Sequence, residues 1–221
     1  MAFLTILAKD IRLELRTRES LAAMVVFALT VVLLFAFAFD FTPALRGTFT
    51  PGLMWLTYFF VAVLGLLRVF GQEKQLEAYD LLLTAPVDRS LIYLGKSTAF
   101  LLLLLVAQLL SLPVFVLFLE LPLAAAPGYF ILILLVTDLA IAAVGGLVAG
   151  LSLRAPAGDT LLPIILFPLL TPILIAATKA TSAALAGQPF AEWDFWIMLI
   201  ITFFALFVLA GIFTFDYIAE Q

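Results

Sequence analysis

The sequence predicts an all-α polytopic membrane protein with six transmembrane helices, and three observations predict it. Hydrophobic residues make up 66% of the chain and charged residues only 12%, against about 25% charged in soluble domains. Mean hydropathy is +1.26. The 221 residues hold six apolar stretches near the roughly 20-residue length that crosses a bilayer. The connections are short, so the expected organisation is one transmembrane domain over residues 1–221 with no room for a soluble catalytic domain.

Residues 1–20 come first. Leu4, Leu7, Ile11 and Leu15 recur at helical spacing, and Lys9, Asp10, Arg12, Glu14, Arg16 and Arg18 occupy much of the remaining surface. That pattern predicts a helix lying along the membrane interface, with a plain charged leader as the alternative. The first span follows at 21–39. Ala36-Phe37-Ala38 resembles a signal cleavage site, but the stretch exceeds the roughly 7–15 residues of a signal core. Residues 40–51 read as a turn, and the second span as 53–69.

A charged connection over 70–90 leads to the third span, 91–119, which contains Pro113. The fourth span, 129–151, carries Ala142, Gly146 and Gly150 at four-residue spacing, a small-residue stripe that lets another helix approach closely. The fifth, 160–178, contains Pro163, Pro168 and Pro172. Each proline removes a backbone donor, so the helix is expected to be kinked or broken, either statically or as a part that lines a conduit or moves. The small residues of 181–187 suggest a re-entrant piece, and the sixth span is 195–215.

Composition also excludes functions. With no cysteine and no histidine, the chain lacks thiolate chemistry and the commonest metal and haem ligands. A net charge of -4 with dispersed acids offers no patch for nucleic acid. Basic residues set the orientation: Lys9, Arg12, Arg16, Arg18, Arg68, Lys74, Arg89, Lys96 and Arg154 fall on one side, Arg46 and Lys179 on the other, which places both termini in the cytoplasm. Trp55, Tyr58, Tyr129, Trp193 and Trp196 then mark the outer boundary as an aromatic belt, and Tyr79, Tyr93 and Tyr217 the inner one.

The 70–90 connection is thereby cytoplasmic. Leu76, Tyr79 and Leu83 form an apolar helical stripe beside the acids Glu73, Glu77 and Asp80, with Lys74 between them. Pro86 closes this helix, and Asp88 or Ser90 can cap the next. Such a helix suits insertion into a groove of a soluble partner; an ordinary solvated helix has the same pattern. Gly95-Lys96-Ser97-Thr98 imitates the end of a phosphate-binding loop, but Ser90 stands where the leading glycine belongs. Lys96 reads as an interfacial anchor.

Asp138 lies near the middle of the fourth span. An acid there costs about 2.5–3.5 kcal/mol on insertion scales, which the surrounding Leu, Ile and Val residues offset. The carboxyl is expected to face protein or water, as a conduit or proton-carrying group or as a protonated or hydrogen-bonded packing residue aided by Thr137. Replacement by Asn separates these roles, since proton carriage predicts lost activity with normal assembly.

The order of leader, two spans, cytoplasmic helix and four further spans resembles an ABC-2-type exporter permease. KDIRLELRTRESL at 9–21, FGQEKQLEAYDLLLTAPVDRSLIYLGK at 70–96 and LLPIILFPLLTPILIAATKAT at 161–181 are similar to the B subunit of the haem exporter of cytochrome c maturation, above all APVDRS at 85–90. Tyr79 departs from the family's expected small residue. The resemblance implies a non-catalytic subunit of the bacterial inner membrane whose Glu73, Lys74, Leu76, Glu77, Tyr79, Asp80 and Leu83 couple to an ABC ATPase, in two copies, that carries ATP and Mg. It further implies a second copy of this chain, a haem-handling membrane subunit, a small membrane subunit and a periplasmic haem chaperone. Haem is then a ligand handled by the complex. Met24, Met54, Met198 or a tyrosine would be weak ligands for it, so mechanical release of the loaded chaperone is the economical reading and haem passage through the chain the other. A permease for lipid, glycan or drug, and an ATP-independent carrier using Asp138, are the remaining alternatives.

Overall fold

The computed structural model describes residues 2–39, 42–75, 88–152 and 158–217. Among the described residues seven α-helices follow in order: α1 (Ala2–Thr17), α2 (Glu19–Ala38), α3 (Pro43–Gln75), α4 (Arg89–Phe118), α5 (Pro127–Ser152), α6 (Gly158–Leu185) and α7 (Asp194–Tyr217). Single 3₁₀ turns at Leu123–Ala125 and Phe190–Glu192 lie in the α4–α5 and α6–α7 connections, and no strand occurs among the described residues. Six helices, α2 to α7, contain segments long and apolar enough to cross a membrane.

Several boundaries differ from those expected. The turn at 40–51 is largely helix, because Pro43 occupies the first helical position, where its missing N–H costs nothing. The re-entrant piece at 181–187 does not form. α6 runs unbroken to Leu185 through Pro163, Pro168 and Pro172. It ends where Gly187 takes φ +74°, with Gly187 N–H donating to the Ala184 carbonyl and Gln188 N–H to that of Ala183. This paired cap satisfies the last carbonyls and needs the left-handed conformation that glycine adopts without strain. α1 and α2 are divided at Arg18, itself left-handed at φ 56°, and Glu14 Oε1 accepts the Leu21 N–H at 2.8 Å, serving the exposed N-terminus of α2.

α5 is the central helix and packs against α3, α4, α6 and α7. Its residues from Ala140 to Gly150 are all buried. Glycines make this possible, because each faces a different neighbour. A Cβ on Gly145 would meet Leu66 of α3, one on Gly146 would meet Ser97 of α4, and one on Gly150 would strike the Phe215 ring of α7. Ala142 is buried on the same helix. Within the expected stripe, Gly146 and Gly150 meet α4 and α7, and Gly145 adds a contact to α3 that the four-residue spacing does not include.

The aromatic belt is corrected. Trp55, Tyr58 and Trp193 are fully buried in the bundle, as is Tyr93, so they fasten helices instead of facing outward. Trp55 Nε1 donates to Thr181 Oγ1 at 2.9 Å, joining α3 to α6. The Tyr93 hydroxyl lies 2.9 Å from the Ala143 carbonyl and 3.2 Å from that of Phe207, a donor shared between α5 and α7. Only Tyr129 and Trp196 of the outer set retain exposure. Tyr79 lies outside the described residues.

Gly211 of α7 lies against the rigid ring of Tyr93, whereas a Cβ on Gly47 meets nothing within 4 Å. Gly211→Ala is expected to lower stability by about 1–3 kcal/mol through overpacking, and Gly47→Ala to raise it slightly through helix propensity. Thermal unfolding of the purified chain in detergent measures both.

Candidate functional site

The candidate coupling segment hangs from two stems, the C-terminal end of α3 and the N-terminal end of α4. Glu73 and Lys74 belong to the last turn of α3. Leu76, Glu77, Tyr79, Asp80 and Leu83 lie outside the described residues, as does Pro86. Asp88 holds the N-cap position of α4 without a side-chain capping bond; its backbone carbonyl accepts the Leu91 N–H. Gly95-Lys96-Ser97-Thr98 is helical, so no phosphate-binding loop exists there.

Immediately inside these stems Lys96 is buried, with 2% of its side chain exposed, and its ammonium stands 3.5 Å from Asp10 Oδ2 of α1. The same ammonium sits 5.2 Å from the Phe70 ring centroid on α3, within cation–π range. This corrects the interfacial-anchor reading: Lys96 points into the protein and joins α1, α3 and α4. Gly95 permits the junction, since a Cβ there would be 3.1 Å from Ile6 of α1, and Ile6 is the buried residue of the N-terminal helix. Lys9 also approaches Asp10, at 3.2 Å. The more exposed Arg68–Glu19 pair, at 3.8 Å, contributes little in water.

A second polar group lies deep in the bundle. Asp138 is fully buried, and Gln108 Nε2 of α4 donates to its Oδ1 at 2.9 Å. Thr137, the expected helper, is buried with its hydroxyl unpartnered; the amide of the neighbouring helix takes that role. Ser111, one turn beyond Gln108, donates back to the Ala107 carbonyl at 2.9 Å. The Tyr58 hydroxyl of α3 lies beside Ser111 and within electrostatic reach of Asp138 but completes no hydrogen bond. The structure thus brings Asp138 together with Gln108, Ser111 and Tyr58, none of which the sequence reading selected. Gln108 was findable in principle, being the one amide within the apolar run of the third span.

Pro163, Pro168 and Pro172 do not join this group. The buried stripe of α6 is Leu162, Leu166, Leu170, Ile173, Ala177 and Ala180, and the three prolines fall beside it, half-buried or exposed. Met24 and Met54 are fully buried, and Met198 is two-thirds exposed.

Fold and junction together define a polytopic helical membrane protein whose N-terminal helix packs against the start of the third membrane helix. The chain belongs to the CcmB protein family, whose pattern it matches over residues 1–217. It is similar to Heme exporter protein B of Pseudomonas aeruginosa, with 30% identity over 88% of this chain and 87% of that protein. The protein of the same name from Rhodobacter capsulatus is 30% identical over 82% and 83% of the two chains. That from Bradyrhizobium diazoefficiens is 29% identical over 84% and 83%.

Removing the Lys96 ammonium leaves Asp10 facing Lys9 and takes the cation from the Phe70 ring. Lys96→Ala is therefore expected to cost less than the roughly 3–5 kcal/mol of a fully stranded buried charge, and to loosen α1, so that trypsin cuts at Arg18 faster than in the wild type; the time course of limited proteolysis checks this.

Proposed function

We propose that this chain is the membrane permease subunit of an ABC transporter that handles haem during cytochrome c maturation. It forms one transmembrane domain in the bacterial inner membrane with both termini cytoplasmic. The observation that carries the reading is the family match over residues 1–217, joined by relatives named Heme exporter protein B along most of their length. The orientation is supported by the basic residues gathered at the α1, α3–α4 and α5–α6 connections.

In this reading ATP is hydrolysed by a partner ATPase, present in two copies and working on a pair of these chains. Glu73, Lys74, Leu76, Glu77, Tyr79, Asp80 and Leu83 meet the ATPase as one acidic and one apolar stripe. Closure of the ATPase pushes on the segment between α3 and α4. Because Lys96 connects both stems to Asp10, the displacement passes into α1 as well as into the bundle. Movement of these helices reshapes a haem site on a neighbouring membrane subunit and frees the loaded periplasmic chaperone. A chain without histidine or cysteine favours this mechanical role over carrying haem by axial ligation.

Two experiments test the proposal. Charge reversal of Glu73, Glu77 and Asp80 to Lys is expected to reduce co-purification of the ATPase at least about tenfold, as loss of about 1.4 kcal/mol or more of interface energy requires, and to abolish cytochrome c maturation; unchanged recruitment and maturation would refute the coupling role. Haem titration of the purified chain alone is expected to give no stoichiometric binding, and a tight one-to-one complex would reverse the mechanical reading in favour of passage through this subunit.

A further inference from the structure

The buried group at Asp138 has more hydrogen-bonding capacity than its bonds consume. Gln108 Nε2 to Asp138 Oδ1, at 2.9 Å, is the bond present. Asp138 Oδ2 and Gln108 Oε1, the second oxygen of each planar group, are both buried without a partner. Two acceptors cannot satisfy each other, and an ionised carboxylate at full burial would keep only one donor. Buried polar atoms are rarely left this way, and an unpaired buried charge is costlier still.

The surroundings supply no countercharge. From α3 the group is faced by Tyr58, whose hydroxyl is within electrostatic reach but unbonded. From α4 come the neutral Gln108 and Ser111, whose hydroxyl is committed to backbone carbonyls. Lys96 of α4 is 12 positions from Gln108, about 18 Å along a helix. On α6, Lys179 is exposed near the C-terminal end, and on α7, Asp194 opens the helix. No Lys or Arg among the described residues forms an ion pair with Asp138.

We infer that Asp138 holds a proton on Oδ2 and donates it to Gln108 Oε1, so that carboxylic acid and amide form a two-bond pair fastening α4 to α5. One hydrogen satisfies both orphan oxygens. The side-chain inventory allows this, since a protonated carboxyl has one donor and one acceptor and an amide has both. The pair is static: its proton is part of the packing, and the chain carries no coupling ion through this point. This assignment stands apart from the proposed function, because it concerns only the state of one side chain.

Infrared difference spectroscopy on the full chain, in lipid with its partner subunits, tests it. The wild type minus Asp138→Asn spectrum is expected to show one protonated-carboxyl C=O band, the same at about pH 6 and about pH 8, where an ordinary Asp is ionised. Gln108→Leu should shift that band toward the frequency of an unbonded acid. A difference confined to carboxylate bands, including one from an ionised Asp138 bridged by water, would overturn the proton; a band unmoved by Gln108→Leu would overturn the pairing. Asp138→Asn should leave complex yield within about twofold of wild type, because an amide pair replaces the acid–amide pair bond for bond. Asp138→Leu, which strands Gln108, should lower yield about tenfold. Equal loss in both variants would show that the charge, not the donor, is required.

Discussion

Helices in a bilayer gain nothing from hiding apolar surface, since the lipid around them is equally apolar, so they are held by how closely they can approach. That constraint explains α5. Gly146 and Gly150 open one face of the helix and Gly145 another, and Leu66, Ser97 and Phe215 from three different neighbours fill them. A helix that is apolar all round and small on several faces becomes the axis of the bundle. Some larger apolar side chains of the other helices face outward, as Leu109, Leu117, Phe37 and Phe213 do.

Close approach is supplemented by a small number of polar fasteners, each joining separate helices. Trp55 joins α3 to α6, Tyr93 joins α4 to the carbonyls of α5 and α7, Gln108 joins α4 to α5, and Lys96 joins α4 to α1. Interhelical bonds of this kind are worth about 0.6 kcal/mol on average in measured membrane proteins. Their value is therefore in register and partner choice more than in strength. α4 takes part in three of the four, which makes it the helix most tied to its neighbours by such bonds.

What the sequence discloses and what it withholds have physical reasons. The helices are readable because a span needs about 20 apolar residues regardless of its neighbours. The small-residue stripe on α5 is readable because it is periodic. The end of α6 lies beyond the expected 178 because the cap geometry is carried by Gly187 and not by the charge at Lys179. The aromatic residues were misassigned because a tryptophan at the depth of a membrane interface serves equally well as an internal fastener when a Thr181 faces it. Gln108 and Asp10 went unselected because pairing across helices depends on rotation about each axis, and no periodicity within one segment reports it. The coupling residues beyond Gln75 rest on the resemblance and on their own pattern.

The seat of α1 has a consequence for biogenesis. Its two anchoring points are the groove at Gly95, which receives Ile6, and the ammonium of Lys96, which is 86 residues later in the chain than the Asp10 it receives. The α1 helix is therefore synthesised well before the helix that seats it, and has the lighter contact with α2 until the third crossing enters the bilayer. Its amphipathic pattern fits that wait: it can float on the lipid surface during translation and dock only once the third crossing arrives, which makes its arrival a sign that the inner half of the bundle is complete.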